Sequence, residues 1–438
     1  MKIPKRIASV VINSLKGGVV PRIGLPYITV GRQGEIDALL HDIDIISQGG
    51  ASFRFIVGKY GSGKSFLLQT IRNYAMDRNF VVADADLSPE RRLQGTKGQG
   101  LATYRELMRN LATKTRPEGG ALTLILDRWI SGVQSETAAQ SGFSADSPEF
   151  SAAVERKIFE VINSLNEMVH GFDFAKLLSI YYRSYISGCD EEKARVVKWF
   201  RGEYVNKSEA KSELGVNIAV TDEDWYEYIK LFAAFLKKAG YDGMLILVDE
   251  LVNIYKIPNS ITRQYNYEKI LTMYNDTLQG KAENLGIIMC GTPQCIEDRH
   301  RGIYSYEALR SRLEQGRFSG EGVKDMLAPV IKLSPLTYEE MLVLIEKLAA
   351  IHAGLFDYEQ TLTQEDMISF IKIEFGRIGA DTNITPREVI RDFIELMNIV
   401  YQNPGTDASA LLNSGKFEYA KTEINDRTLE KEFAEFEI

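Results

Sequence analysis

The chain has little of the chemistry that builds disulfide or zinc scaffolds, with three cysteines and four histidines in 438 residues. Cys189, Cys290 and Cys295 are an odd set without metal-ligand spacing, and the scattered histidines add none. A reduced, cytoplasmic chain without structural zinc is therefore expected. Long apolar runs are missing too: no stretch approaches the ~20 uncharged residues that span a bilayer, so no membrane partner is expected. The opening places Lys2, Lys5 and Arg6 before an apolar stretch broken by Ser9, Asn13 and Ser14, with no small-residue cleavage site after it. That pattern predicts an amphipathic helix, not a signal peptide. Basic excess is also absent, the net charge being −8. Phosphate neutralisation supplies most non-specific DNA affinity, so this balance does not support autonomous DNA binding. DNA contact would need a local patch, such as 54–64 or 299–317, or an assembled ring.

What is present is a soluble-protein composition, 45% hydrophobic and 26% charged, with length for two or three domains. Gly58-Lys59-Tyr60-Gly61-Ser62-Gly63-Lys64-Ser65 reads G-x-x-x-x-G-K-S. Phe53-Arg54-Phe55-Ile56-Val57 before it is a short β-branched and aromatic run, and residues 66–76 after it carry apolar residues at helical spacing. Strand, glycine loop and helix bring backbone N–H groups and a helix N-terminus onto one anion, which predicts nucleoside triphosphate binding. Further on, Met244-Leu245-Ile246-Leu247-Val248 ends in Asp249-Glu250, the pattern of a buried strand delivering acids at its C-terminal end. Asp249 is placed to hold Mg²⁺ opposite the Ser65 hydroxyl, and Glu250 to polarise an attacking water. Asn206-Lys207 precedes this strand and ends no apolar run, so GTP specificity lacks support.

The expected organisation is an α/β P-loop core with a parallel sheet, a long helical insertion and a C-terminal helical lid. Residues 1–50 lead in, 51–332 form the nucleotide core, about 100–240 are the insertion, 333–405 the lid, and 406–438 an acidic tail. A second strand over 80–85 ends at Asp84 and Asp86. Periodicity in the insertion predicts helices near 101–115, 121–133, 149–168, 171–187, 190–205 and 222–239, with polar breaks at 144–148 and 207–215. A helix over about 266–280 and a strand from Leu285 to Cys290 follow, then lid helices near 337–353, 364–375 and 386–401. Leu429, Phe433 and Phe436 would share one helical face in the tail. No internal repeat occurs.

The order of Val30-Gly31-Arg32-x-x-Glu35, the glycine loop, Asp249-Glu250, Thr292 and Thr385-Pro386-Arg387-Glu388 resembles that of AAA+ ATPases, particularly the origin-recognition and initiator-like branch. Ile12-Asn13-Ser14-Leu15-Lys16-Gly17-Gly18-Val19-Val20-Pro21, Asp86-Leu87-Ser88 and Tyr104-Arg105-Glu106-Leu107-Met108 look more narrowly like the ATP-binding proteins of BREX-type phage-defence operons. The resemblance covers nearly the whole chain. It implies ATP and Mg²⁺ as ligands, with Gly31 and Arg32 beside the adenine and Thr292 as a polar sensor. It also implies Arg387 as a second sensor at the start of a lid helix, and an arginine acting in trans from Arg310 or Arg312, with Arg299, Arg301 and Arg317 nearby. A homo-oligomer, or an assembly with other defence-operon proteins, is the implied state. A nucleotide-gated scaffold with slow turnover and an initiator-like DNA loader or translocase are the alternatives. A metabolite kinase is disfavoured, because no acceptor-site signature is visible.

Overall fold

The computed structural model describes residues 3–144, 147–314, 325–376 and 385–413. Helices α1 (Lys5–Lys16), α2 (Leu25–Ile28) and α3 (Gln33–Ser47) precede strand β1 (Ala51–Val57), which runs through the glycine loop into α4 (Lys64–Asp77) and β2 (Phe80–Asp86). A helical stretch follows: α5 (Gln99–Arg109), α6 (Leu122–Ser141), α7 (Pro148–Asn163), α8 (Gly171–Ser187), α9 (Asp190–Phe200), α10 (Lys207–Leu214) and α11 (Trp225–Lys238). Then come β3 (Gly243–Asp249), α12 (Val252–Tyr255), α13 (Ser260–Leu278), β4 (Leu285–Gly291), α14 (Pro293–Glu297), α15 (Glu307–Leu313) and β5 (Val330–Lys332). The last described helices are α16 (Tyr338–Phe356), α17 (Gln364–Phe375), α18 (Pro386–Gln402) and α19 (Ala408–Asn413).

The five strands pair in parallel in the order β2-β3-β4-β1-β5. The chain is thus α/β with a P-loop NTPase-like core, as the residue pattern predicted. Side chains alternate across each strand, so one sheet feeds two cores. Phe53, Phe55, Val57, Met244, Ile246 and Val248 face a core shared with α5, α11 and α13. Ile56, Leu245, Leu247 and Ile288 face another, closed by Ile36, Leu39 and Ile43 of α3 and Leu67, Leu68 and Ile71 of α4. With both faces covered, β3 and β4 read as unbroken apolar runs. The first core continues into the helices between β2 and β3, where the rings of Trp129 and Phe235 meet edge to face at 5.0 Å.

Several boundaries differ from the sequence expectation. The helix expected over 101–115 stops at Arg109, because Ala112 leaves it to exchange backbone bonds of 2.8 and 3.0 Å with Val82. Asn110 Nδ2 secures that exit on the Asp84 carbonyl at 2.9 Å. The polar break expected at 207–215 is helix α10, capped by Asn206, whose side chain accepts from Glu209 N, and followed by Gly215 at φ 66°. Only Ala210 and Leu214 are buried along it, so it carries almost no apolar face to detect. Strand β5 was not expected, since three residues are too few to register as a period. α6 runs on to Ser141, whereas α7 and α9 stop at Asn163 and Phe200. Arg317 and the apolar face of Leu429, Phe433 and Phe436 lie outside the described residues.

The chain divides into two compact units. One holds residues 20–336 with Thr385–Arg387. The other gathers α1, α16, α17, α19 and the rest of α18. In the second unit α1, the amphipathic helix expected near the N-terminus, packs on α16 and pairs Lys5 with Asp357. α16 and α17 each begin with a reciprocal capping box, Thr337 with Glu340 and Thr363 with Asp366. Between α16 and α18, fully buried His352 lies 2.9 Å from the Tyr358 hydroxyl through Nδ1 and 3.1 Å from Asn398 Oδ1 through Nε2. An amide oxygen only accepts, so Nε2 carries the proton and Nδ1 accepts from Tyr358.

Burial holds the His352 imidazole below its ordinary pKa of 6.5, partly opposed by the Asn398 bond. The unfolded chain therefore takes up a proton more readily than the folded one. The stability tied to neutral His352 is complete above pH ~6.5 and is lost as pH falls below that value, by at most about 1.4 kcal/mol per pH unit. Melting temperatures recorded from pH 7.5 down to 5.5 should fall more steeply in the wild type than in His352→Gln. Equal slopes would contradict the assignment.

Candidate functional site

β1 ends at Val57, and Gly58 N–H bonds the Gly291 carbonyl at the end of β4 at 3.1 Å, which fixes where the glycine loop leaves the sheet. Gly61 has φ 74°, and a Cβ there would come within 2.7 Å of the Thr385 side chain, so both the backbone and the space call for glycine. Gly63, at φ 95°, caps α4. The first N–H groups of that helix have no intrahelical acceptor and open onto the concave side of the loop. Buried Lys64 directs Nζ onto the carbonyls of Gly58 and Lys59, both at 2.9 Å, under the Tyr60 ring 5.4 Å away. Burial lowers the Lys64 pKa, and Asp249 opposes the shift. The Tyr60 phenol is pushed up by burial and by Glu250, while its ring stays more than half exposed.

β4 lies between β1 and β3, yet the site closes across it. Ser65 Oγ donates to Asp249 Oδ2 at 3.0 Å. The other oxygen, Oδ1, accepts the Glu250 backbone N–H at 2.8 Å. Glu250 is exposed at φ 62°, a left-handed conformation that turns the chain sharply off the strand. Asp86, in register with Asp249 on β2, adds a third carboxyl to this edge. Partial desolvation and the charges of Asp249, Asp84 and Glu250 hold the Asp86 carboxyl above its ordinary value. The sequence reading assigned Asp86 no role; its place at the end of an apolar run, like that of Asp249, was the available signal.

Thr292 follows β4, and its Oγ1 lies 3.0 Å from Cys295 Sγ. Burial raises the Cys295 thiol pKa, with the Thr292 bond opposing. Gly31 is left-handed at φ 66° and turns the chain into buried Arg32. Arg32 Nη2 donates to the Ser62 carbonyl at 3.0 Å, and Nη1 lies 3.6 Å from Glu35 Oε1. Arg387 is exposed near the start of α18, two residues beyond the Thr385 side chain that abuts Gly61. Arg310 pairs with Glu307 at 3.7 Å and Arg312 donates to the Ala308 carbonyl at 2.6 Å, both within α15. Arg299 pairs with Glu314 at 2.8 Å, and Arg301 lies against the Tyr255 ring.

The basic patch suggested over 54–64 presents one cation, Lys59, to solvent. Arg54 is buried in a two-pronged pair with Asp42, at 2.6 and 2.7 Å, and Lys64 is folded into the loop. Among the described residues no three metal-ligating side chains cluster. Ser65 and Asp249 instead offer one hydroxyl and one carboxylate. That sparse all-oxygen set suits Mg²⁺, which takes its remaining ligands from phosphates and water. No helix among the described residues is long and apolar enough to cross a membrane.

A glycine loop at a helix N-terminus, facing an acidic strand end, is an arrangement suited to the phosphates of a nucleotide. The comparison with known families agrees. A family model described as BREX system ATP-binding protein BrxC/D matches residues 3–416. No curated protein matches the chain. The match takes in the glycine loop, both acids and nearly all of both compact units, and the chain belongs to the BrxC/D family of ATP-binding proteins of the BREX phage-defence system.

Proposed function

We propose that the chain hydrolyses ATP with Mg²⁺ and works as an AAA+ switch or motor in BREX defence. The observation that carries this reading is the 3.0 Å bond from Ser65 Oγ to Asp249 Oδ2. It brings the loop hydroxyl and the strand-end acid together from either side of an intervening strand, one residue from Lys64 and one from Glu250. Ser65 and Asp249 are the residues that would hold Mg²⁺, which when bound neutralises charge on the β- and γ-phosphate oxygens. Loop N–H groups of residues 58–65 bind the phosphates, and Lys64 reaches the β- and γ-phosphates. Glu250 accepts a proton from water as the water oxygen bonds the γ-phosphorus. The bond to the β–γ bridging oxygen breaks, giving ADP and phosphate. The Thr292 hydroxyl orients that water, and Arg387 senses the γ-phosphate from the start of its helix.

In this reading 51–332 is the nucleotide core with its insertion at about 100–240, and 333–405 is a lid whose orientation follows the γ-phosphate. Arg310 or Arg312 would act in trans on the site of a neighbouring copy in a homo-oligomer. Other defence-operon proteins are the further partners, and any DNA contact would come from a local patch such as 299–317 or from an assembled ring. Removal of the metal gives the test. Phosphate release should fall to background in excess chelator and return on adding Mg²⁺; turnover indifferent to chelation would contradict the proposal. A chain that stays monomeric with and without ATP would remove the trans arginine.

A further inference from the structure

We infer that Arg32 is a positioning residue for the phosphate loop, acting through the Ser62 carbonyl and not through the base of the nucleotide. The inference rests on the nucleotide-site reading above and adds a residue to it. Three features of this chain carry it. Arg32 and Glu35 are both buried, and their charged groups lie 3.6 Å apart, so the guanidinium is held by a carboxylate away from solvent. From that anchored position Nη2 donates to the Ser62 carbonyl at 3.0 Å, a bond spanning 30 positions of sequence. Ser62 is itself buried and precedes Gly63, the left-handed cap of α4 at φ 95°.

The geometry of one peptide unit then decides the consequence. In a trans peptide the C=O and the following N–H point in opposite directions. Drawing the Ser62 carbonyl outward onto Arg32 aims the Gly63 N–H to the opposite side of the same plane. Gly63 has no Cβ to restrict its own rotation, so the loop needs an external hold on that peptide. The buried pair supplies it, because a charge-assisted bond away from water is stronger than a neutral one and costs more to leave unmade. Without Arg32 the Ser62 carbonyl loses that donor, and the Gly63 N–H is no longer fixed before the ligand arrives. Pre-organisation of this kind appears as ligand affinity.

The test uses a ligand with no base. Equilibrium binding of ATP and of inorganic triphosphate is measured on the wild type, Arg32→Ala, Arg32→Lys and Glu35→Gln. Arg32→Ala should weaken both ligands by the same factor, about tenfold. Arg32→Lys, which keeps one donor, should recover part of the loss, and Glu35→Gln, which loosens the anchor, should weaken both ligands by a smaller shared factor. Weaker ATP binding with triphosphate binding unchanged would place Arg32 on the base and overturn the inference. A lowered melting temperature with both affinities intact would reduce Arg32 to a structural role and also overturn it. Should Arg32→Ala fail to fold, Arg32→Lys and Glu35→Gln decide by the same comparison. A wild-type chain that binds neither ligand would instead sink the nucleotide-site reading itself.

Discussion

Replacing Glu250 by Gln should lower the turnover number for ATP at least about 100-fold while leaving ATP binding near its wild-type strength. Gln matches the shape of Glu but accepts no proton at neutral pH, so a loss confined to turnover identifies the base. The local backbone supports giving Glu250 this role. A residue with a Cβ at φ 62° costs on the order of 1 kcal/mol, and such conformations persist where surrounding structure enforces them. Here the Glu250 N–H is held by Asp249 Oδ1 at 2.8 Å and its carbonyl by Asn253 N–H at 3.0 Å, which turns the side chain off the end of β3. Steady-state phosphate release beside equilibrium ATP binding separates the outcomes. A variant that turns over at the wild-type rate, or that loses binding as severely as turnover, would contradict the assignment.

Arg54→Met should cost about 3–5 kcal/mol of stability, the largest structural effect expected from a single change here. Arg54 Nε and Nη2 engage both oxygens of Asp42 at 2.6 and 2.7 Å, and Nη1 donates to the carbonyls of Leu327 and Ala328, both at 2.6 Å. The pair is buried, so removing the cation alone leaves the Asp42 carboxylate away from water with the Ser52 hydroxyl, at 2.9 Å, in place of a countercharge. The double change Asp42→Leu with Arg54→Met should regain most of the loss, because it also removes the stranded charge. Denaturant midpoints of the three variants check both statements. A single variant within about 1 kcal/mol of the wild type would contradict the account. The effect should reach nucleotide binding too, since Arg54 lies on β1, whose far end launches the loop.

The parts of this chain that read well from sequence are local. Eight consecutive residues specify the glycine loop, and five apolar residues followed by two acids specify β3 and its end. The sheet was legible because strands buried on both faces are unbroken apolar runs. What escaped depends on distant partners or on weak periodicity. Nothing in Arg32 or Ser62 alone marks a bond across 30 positions, and the resemblance placed Arg32 beside the adenine. Arg54 reads as a basic residue in a strand until Asp42 is seen opposite it. α10 escaped because its face is almost wholly polar, β5 because three residues show no period, and the early end of α5 because Val82 captures Ala112. The left-handed backbone of Glu250 has no sequence signature, since glycine is the residue that such a conformation favours.

The account rests most directly on whether ATP held at the 58–65 loop is cleaved. A single-turnover experiment reads this: excess purified chain is mixed with labelled ATP and Mg²⁺, and the nucleotide recovered from the complex is followed in time, with and without duplex DNA. The account predicts that bound ATP converts to ADP and phosphate in the wild type and remains ATP in Glu250→Gln. ATP recovered intact from the wild type under both conditions would contradict hydrolysis at this site and leave a nucleotide-gated scaffold in its place.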